Sequence, residues 1–579
     1  MRFEVPGIAA SLGIAVGTAH VIARVGGVTR RRVSDRDAEV ERLRSAIDAS
    51  RAEIESAKES LAGAGETGLV LDAQLLMHRD ELLVDGAAQR IRSEGMGAEW
   101  AIEATVADLK APLEASSSRY FRERAQDIEH VGQHILRHLR GKHDRLALPE
   151  SSVVLVASDL SPADAVRLLG DHRVLGLVTE VGSSTSHTAL LARALEVPAV
   201  VGAGPLVDRV VASVDVIVDG LRGRVVLDPR DEERDYAEKR GRRFRRFSSE
   251  LRSKADEPAT TLDGAEVTLM ANIELPVEAI AARAHGARGI GLYRTEFLFL
   301  ERDAPPEENE QVGVYRSVLE ACADRPVVIR TFDLGGDKLP RSMQHSAGPN
   351  PALGLRAVRL MMREPEVMRS QVRAALRAAA HGPVELMFPM VEGPSTFRTL
   401  RGLVAAWQAE LDAEGVEHGE VRLGAMVEVP SAALLAKELA TEADFLSVGT
   451  NDLVQYTLAV DRSNADVAAL GDPLHPAVVR LLAHIVQCAD KVGTPVVMCG
   501  DMAADPIALP VVLGLGYRRL SVPTVSLPFA QELVRRVDAS QLTALATEVL
   551  DLESAVASRA HVRAQLEDTL GSLWSEQGV

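Results

Sequence analysis

Aromatic side chains are scarce in this chain: Phe, Trp and Tyr together make up 3% of its residues. That is too few for the stacking platforms on which proteins hold bases or sugars. Positive charge is short as well. Lys and Arg number 65 against 83 Asp and Glu, a net charge of −18 that argues against a nucleic-acid surface. The three cysteines, Cys322, Cys488 and Cys499, are far apart and form neither a disulfide framework nor a zinc pattern, as in a reduced cytosolic protein. No apolar run approaches the roughly 20 residues of a membrane span. The N-terminal stretch "MRFEVPGIAASLGIAVGTAHVIA" is interrupted by Gly and Pro and lacks the early basic cluster of a signal peptide. A cytoplasmic protein without membrane or nucleic-acid partners is expected.

What the chain does have is apolar material, 46% over 579 residues, enough for two to four cores. Short strands joined by glycine turns open it. Four amphipathic stretches follow, from "DAEVERLRSAIDASRAEIESAKESL" to "SRYFRERAQDIEHVGQHILRHL", with apolar residues at helical spacing. Strand character returns in "SSVVLVA", "RVLGLVTE", "VPAVVG", "VDVIVDG" and "GRVVLD". The economical reading is an α/β domain over 1–33 and 143–230 that carries an inserted helical bundle over 34–142. The charged stretch 231–259 then reads as a linker helix with a solvated basic face.

Residues 260–579 hold eight candidate strands separated mostly by helical segments, the pattern of a (β/α)8 barrel. Each strand stays apolar until its C-terminal end, where a reactive or charged residue follows: Asn272, Arg294, Arg330, Glu392, Glu428, Asn451 with Asp452, Cys499 and Ser521. Such folds build their active sites on that face. Arg294, Arg330 and Arg462 offer guanidinium forks matched to phosphate or carboxylate oxygens, which points to a small, multiply anionic substrate. Glu428 and Asp452 are placed to hold Mg²⁺. Asn451 adds a neutral donor for a phosphate oxygen. Cys499 reads either as an inert buried thiol or as a group that delivers or removes a proton at carbon.

The remaining candidate is His187, in "GSSTSHTALLARALE". It stands at the expected start of a helix, whose free N–H groups and dipole favour an anion. A neutral imidazole nitrogen is a competent nucleophile near pH 7, and Thr185 and Ser186 could add hydroxyl donors. A nucleophile in one domain and an anion site with Mg²⁺ in another imply that phosphoryl passes between them.

These motifs resemble the Enzyme I family of the bacterial sugar phosphotransferase system, within the PEP-utilising enzymes. The resemblance spans essentially the whole chain. "TSHTALLAR" is similar to the family's phosphohistidine signature, and "GIGLYRTEFLF", "RTFDLGGDK", "LGLRAVR", "MVEVPSA", "SVGTNDLVQYTLAVDRSN" and "VMCGDMA" to its barrel motifs. It implies a phosphotransferase that passes phosphoryl from phosphoenolpyruvate to His187, through Nε2, and then to the histidine of HPr, releasing pyruvate. It further implies Mg²⁺ on Glu428 and Asp452, and phosphoenolpyruvate on Arg294, Arg330, Asn451, Asp452 and Arg462. Arg356 becomes an additional ligand and Cys499 the proton donor to the enolate. The helical insert would dock HPr, and the barrel would mediate a homodimer. Two departures from the family pattern stand out: the "EVGSSTSH" turn lacks the usual double glycine, and Asp501 replaces Glu after "MCG". An ATP-using dikinase would need a nucleotide-binding domain ahead of the histidine, and a non-enzymatic relay would predict an eroded barrel site. With mostly helical residues and no Gly-rich phosphate loop ahead of the histidine, and with the arginines, acids, cysteine and histidine all in place, neither alternative is expected.

Overall fold

The computed structural model describes every residue except 1, 23–27, 61–74, 76, 79–80, 115–118, 142–147, 184–185, 208, 211–213, 277, 300–303, 336–338, 344–349, 463, 465 and 578–579. Thr185 and the 336–338 part of "RTFDLGGDK" therefore lie outside the described residues. The chain divides into two units, residues 1–247 and 248–577.

The first unit is organised by an eight-stranded mixed sheet. Its strands are β1 (Phe3–Pro6), β2 (Ile8–Ser11), β3 (Ile14–Ile22), β4 (Val153–Ala157), β5 (Val174–Thr179), β6 (Ala199–Val201), β7 (Asp215–Asp219) and β8 (Arg224–Leu227). They lie in the order β1-β8-β7-β3-β4-β5-β6-β2. β4 pairs in parallel with β3 and β5, and its alternate residues feed two cores. Val153, Leu155 and Ala157 pack with the helices on one face, and Val154 and Val156 enter the opposite core. A strand covered on both faces has to be continuously apolar, as "VVLVA" is.

Between β3 and β4 the chain leaves the sheet and forms the helices Arg36–Ser60, Glu81–Glu94, Ala98–Glu114 and Arg119–Arg140. Val40, Leu43 and Ile47 on the first and Val131, Ile135 and Leu139 on the last repeat at helical spacing and meet in one core. An ion pair fastens this bundle to the sheet layer. Arg137 makes two parallel hydrogen bonds, of 2.9 and 2.8 Å, to Asp164 in the helix Pro162–Leu169. Burial alone would raise the Asp164 carboxyl, but Arg137 outweighs it and pulls the group down to about 2. The charged helix Asp231–Ser253 follows β8.

The second unit is a closed barrel of eight parallel strands: β9 (Thr268–Ile273), β10 (Ile290–Arg294), β11 (Val327–Arg330), β12 (Val384–Phe388), β13 (Arg422–Val427), β14 (Phe445–Val448), β15 (Val496–Met498) and β16 (Arg519–Pro523). These are the eight strands expected from the sequence. Leu292, Val328, Met387, Met426, Phe445 and Cys499 cluster together, buried, from six different strands or strand ends. Gly424 makes room for the largest of them: a Cβ there would lie 2.2 Å from the Phe445 ring. Among the described residues no helix is long and apolar enough to cross a membrane.

Candidate active site

At the C-terminal mouth of the barrel, strand ends convert local sequence into a shared site. β10 ends on Arg294 and β11 on Arg330. Glu428 immediately follows β13, while Asn451 and Asp452 open the helix Thr450–Leu458 after β14. Cys499 follows β15.

Each arginine meets an acid. Arg294 donates to Glu274 at 2.7 Å, and Arg330 to Glu296 at 2.7 Å. Arg356 makes a two-point contact with Asp333, at 2.9 and 2.7 Å, donates to the Tyr456 hydroxyl at 3.1 Å and reaches Asp452 at 3.4 Å. Arg462, half exposed, stands 3.7 Å from Asp452. Burial would lower the Arg330 guanidinium, but Glu296, Asp333 and Glu428 raise it above its ordinary value. The site therefore holds fixed positive charge under low-dielectric conditions, where it acts most strongly on an anion.

Asp333, Glu428 and Asp452 form the acidic half, with one carboxylate oxygen from each within 4.8 Å of the others. Burial would raise Asp333, yet Arg330 and Arg356 hold it below the usual range. Glu428 accepts a hydrogen bond from the Met390 N–H at 2.7 Å. Its burial beside Asp452 and Asp333 nevertheless pushes it up to about 8. Asp452 Oδ1 is buried with no hydrogen-bond partner. An orphaned carboxylate oxygen among crowded acids is what a hard divalent cation would satisfy, and an all-oxygen donor set fits one.

Cys499 is buried, accepts a hydrogen bond from Ser447 Oγ at 3.2 Å and lies 3.5 Å from the Val448 carbonyl. Burial pushes its thiol up to about 11, which favours still further the protonated form that an ordinary thiol already takes at neutral pH. Asn272 reaches this strand end by donating to the Cys499 carbonyl at 3.1 Å. Asn451 donates to Asp501 at 2.9 Å and accepts the Asp501 backbone N–H at 3.0 Å. The Asp that departs from the family's Glu thus holds the Asn451 amide. Gly500 is sterically required beside it: a Cβ would lie 1.8 Å from Thr450 Oγ1.

Two sequence expectations change. Glu392 lies exposed past β12 and pairs with Thr396, apart from the acid cluster. The β12 side of the mouth contributes the Met390 N–H instead. Ser186 is the N-cap of the eight-residue helix His187–Ala194; its hydroxyl accepts the Ala189 N–H at 3.4 Å and donates to the Ser183 carbonyl at 2.9 Å. That hydroxyl is engaged in capping rather than left as a donor for an anion. His187 is the first residue of the helix, and its side chain lies outside the described atoms.

The residues that sequence reasoning passed over are Glu274, Glu296, Asp333 and Tyr456, and Asp501 was noted there without a role. Asp333, three residues beyond Arg330, was the most visible of them. The others are acids or a phenol whose partners come from other strands, so local pattern holds no sign of them.

Three sequence profiles of PEP-utilising enzymes match the chain: the N-terminal domain over residues 6–124, the mobile domain over 149–223 and the PEP-binding domain over 248–539. Over 554 residues the chain is 38% identical to the phosphoenolpyruvate-protein phosphotransferase of Geobacillus stearothermophilus, covering 95% of this chain and 96% of that one. Its counterpart in Listeria innocua is 38% identical over 560 residues, covering 96% and 98%. That of Bacillus subtilis is 36% identical over 556 residues, covering 95% and 97%. With the profiles matched in order and these relatives aligned nearly end to end, the chain belongs to the PEP-utilising enzyme family, alongside the phosphoenolpyruvate-protein phosphotransferases.

Proposed function

We propose that the chain is a phosphoenolpyruvate-protein phosphotransferase that takes phosphoryl from phosphoenolpyruvate onto His187 and passes it to the histidine of an HPr-like phosphocarrier. The observation that carries this reading is the meeting of Arg330, Arg356 and Arg462 with the cluster of Asp333, Glu428 and Asp452 at the barrel mouth where β10 also ends on Arg294. Arg294, Arg330 and Arg462 bind the anionic substrate, joined by Asn451 through its amide; Arg356 is an additional ligand. Glu428 and Asp452 would hold Mg²⁺, which when bound would supply charge neutralisation for the phosphate.

The imidazole Nε2 of His187 attacks phosphorus. The N–P bond forms as the bond from phosphorus to the enol oxygen breaks, leaving the enolate of pyruvate. Cys499 gives its proton to the methylene carbon of that enolate, producing pyruvate and a thiolate that solvent reprotonates. A thiol held protonated at neutral pH suits that role. The arginines lower the energy of the charge that develops on the leaving oxygen.

The helical insert is the docking surface for the phosphocarrier. The barrel carries a homodimer contact, a reading supported by its exposed Leu434, Leu435 and Leu470. We place the protein in the cytoplasm, where phosphoenolpyruvate is formed.

The test mixes the chain with Mg²⁺ and ³²P-labelled phosphoenolpyruvate, without ATP, beside His187→Ala. Acid-labile, alkali-stable label on the unaltered chain alone, stoichiometric pyruvate and discharge by HPr are expected. Absence of label on folded protein would overturn the reading, and label taken from ATP would replace it with a dikinase-like one.

A further inference from the structure

A second cluster of ligating side chains lies in the first unit, inside the helical bundle. His134 and His138 are four residues apart on the helix Arg119–Arg140 and so share one face. Glu53 faces them from the helix Arg36–Ser60. One ligand atom from each of the three can be chosen so that all lie within 4.8 Å of one another. His138 Nε2 is 2.8 Å from Glu53 Oε2, and His134 Nε2 is 3.7 Å from the same oxygen.

The surroundings orient these groups. His134 Nδ1 lies 2.6 Å from Ser50 Oγ, which in turn lies 2.7 Å from His78 Nε2. Ser50, His78 and His134 are all buried. The contact through Nδ1 fixes the His134 ring with its Nε2 toward Glu53. Metal-binding histidines are characteristically held this way through the nitrogen that does not ligate. The other Glu53 oxygen stands 3.4 Å from Arg167, so the carboxylate too is positioned from outside the cluster. The Glu53 side chain is 35% exposed and that of His138 17%, which gives an ion a route in.

We propose that Glu53, His134 and His138 bind a divalent cation of the Zn²⁺ class, with water completing four-coordination, and that the ion fastens the first and last described helices of the bundle. Two imidazoles and one carboxylate match the ligand preferences of Zn²⁺. The all-oxygen cluster of the barrel matches a hard cation instead, so the two clusters select different ions.

The test titrates the full chain with Zn²⁺ in excess Mg²⁺, followed by calorimetry. One equivalent is expected. His138→Asn and Glu53→Gln should weaken it by more than about 100-fold, and Ser50→Ala by about 10- to 100-fold, the range for an outer partner of a ligating histidine. Glu428→Gln should leave the uptake unchanged. X-ray absorption of the zinc-loaded, unaltered chain should show two imidazoles and no sulfur, a readout that does not depend on any variant folding. The proposal is overturned if the chain takes up no Zn²⁺, if sulfur appears around the ion, or if folded His138→Asn and Glu53→Gln bind it as before. In those cases the cluster is a hydrogen-bonded junction alone.

Discussion

Both units bury acids, but they treat the charge in opposite ways. In the first unit Asp164 receives two hydrogen bonds from Arg137 and one, at 2.7 Å, from the Ser161 hydroxyl, and it is drawn down to about 2. In the barrel, Glu428 is crowded by Asp452 and Asp333 and pushed up to about 8, while Asp452 keeps a buried oxygen that no hydrogen bond reaches, with Arg462 3.7 Å away. The first arrangement is complete in itself and stabilises the fold. The second leaves a carboxylate oxygen short of a hydrogen bond, which on the proposed function a cation would satisfy. A buried acid left short of partners, as Asp452 is, marks a site; a fully hydrogen-bonded one is structural in Asp164 but belongs to the site in Asp333, whose partner Arg356 also reaches Asp452.

The comparison can be broken most decisively at Cys499. Cys499→Ala should lower pyruvate formation by about 10²- to 10⁴-fold, the contribution of a positioned general acid, with little change in the KM for phosphoenolpyruvate. A parallel rise in KM would place the thiol in binding rather than proton transfer. In the first unit the corresponding change is Arg137→Ala, which strands the buried Asp164 and should destabilise the unit by about 3–5 kcal/mol in denaturant unfolding. Asp164→Asn together with Arg137→Ala should recover part of that loss.

Gly500→Ala sharpens the barrel side. The added methyl has to displace Thr450 at the start of the helix that carries Asn451 and Asp452. A stability loss of about 1–3 kcal/mol is expected, with a larger proportional fall in kcat/KM than in thermal stability.

Acid titration isolates the completed acid. Asp164 has its folded pKa depressed from 3.8 to about 2, so its stabilisation is fully present above 3.8 and is lost as pH falls through 2. It amounts to about 2 kcal/mol, and Asp164→Asn should remove that part of the acid dependence. Smallest is Ser186→Ala, which removes the cap of the helix His187–Ala194 and should cost about 1 kcal/mol by calorimetry.

Much of this was legible along the chain. The short continuous apolar run "VVLVA", helical spacing in the bundle and eight apolar runs with polar ends were readable because strand length and the 3.6-residue helical period are imposed locally by the backbone. Arg294, Arg330, Glu428, Asp452 and Cys499 were visible because a parallel barrel strand delivers whatever follows its last apolar residue to one rim. Glu392 satisfied the same rule and still lies outside the cluster, because proximity to a strand end does not set the direction of a side chain.

The sequence by itself determined the elements, their order, the face on which the barrel chemistry sits and the family. Only the tertiary structure decided that Asp333 links Arg330 to Arg356, that Asp501 holds Asn451, that the Cys499 thiol is pushed up and that Ser186 is engaged in capping. The physical reason is the same for the first two. Arg356 and Asp452 are 96 residues apart and Asn451 and Asp501 are 50 apart, so their distances follow from barrel closure. The upward shift of the Cys499 thiol follows from burial, which no local pattern encodes.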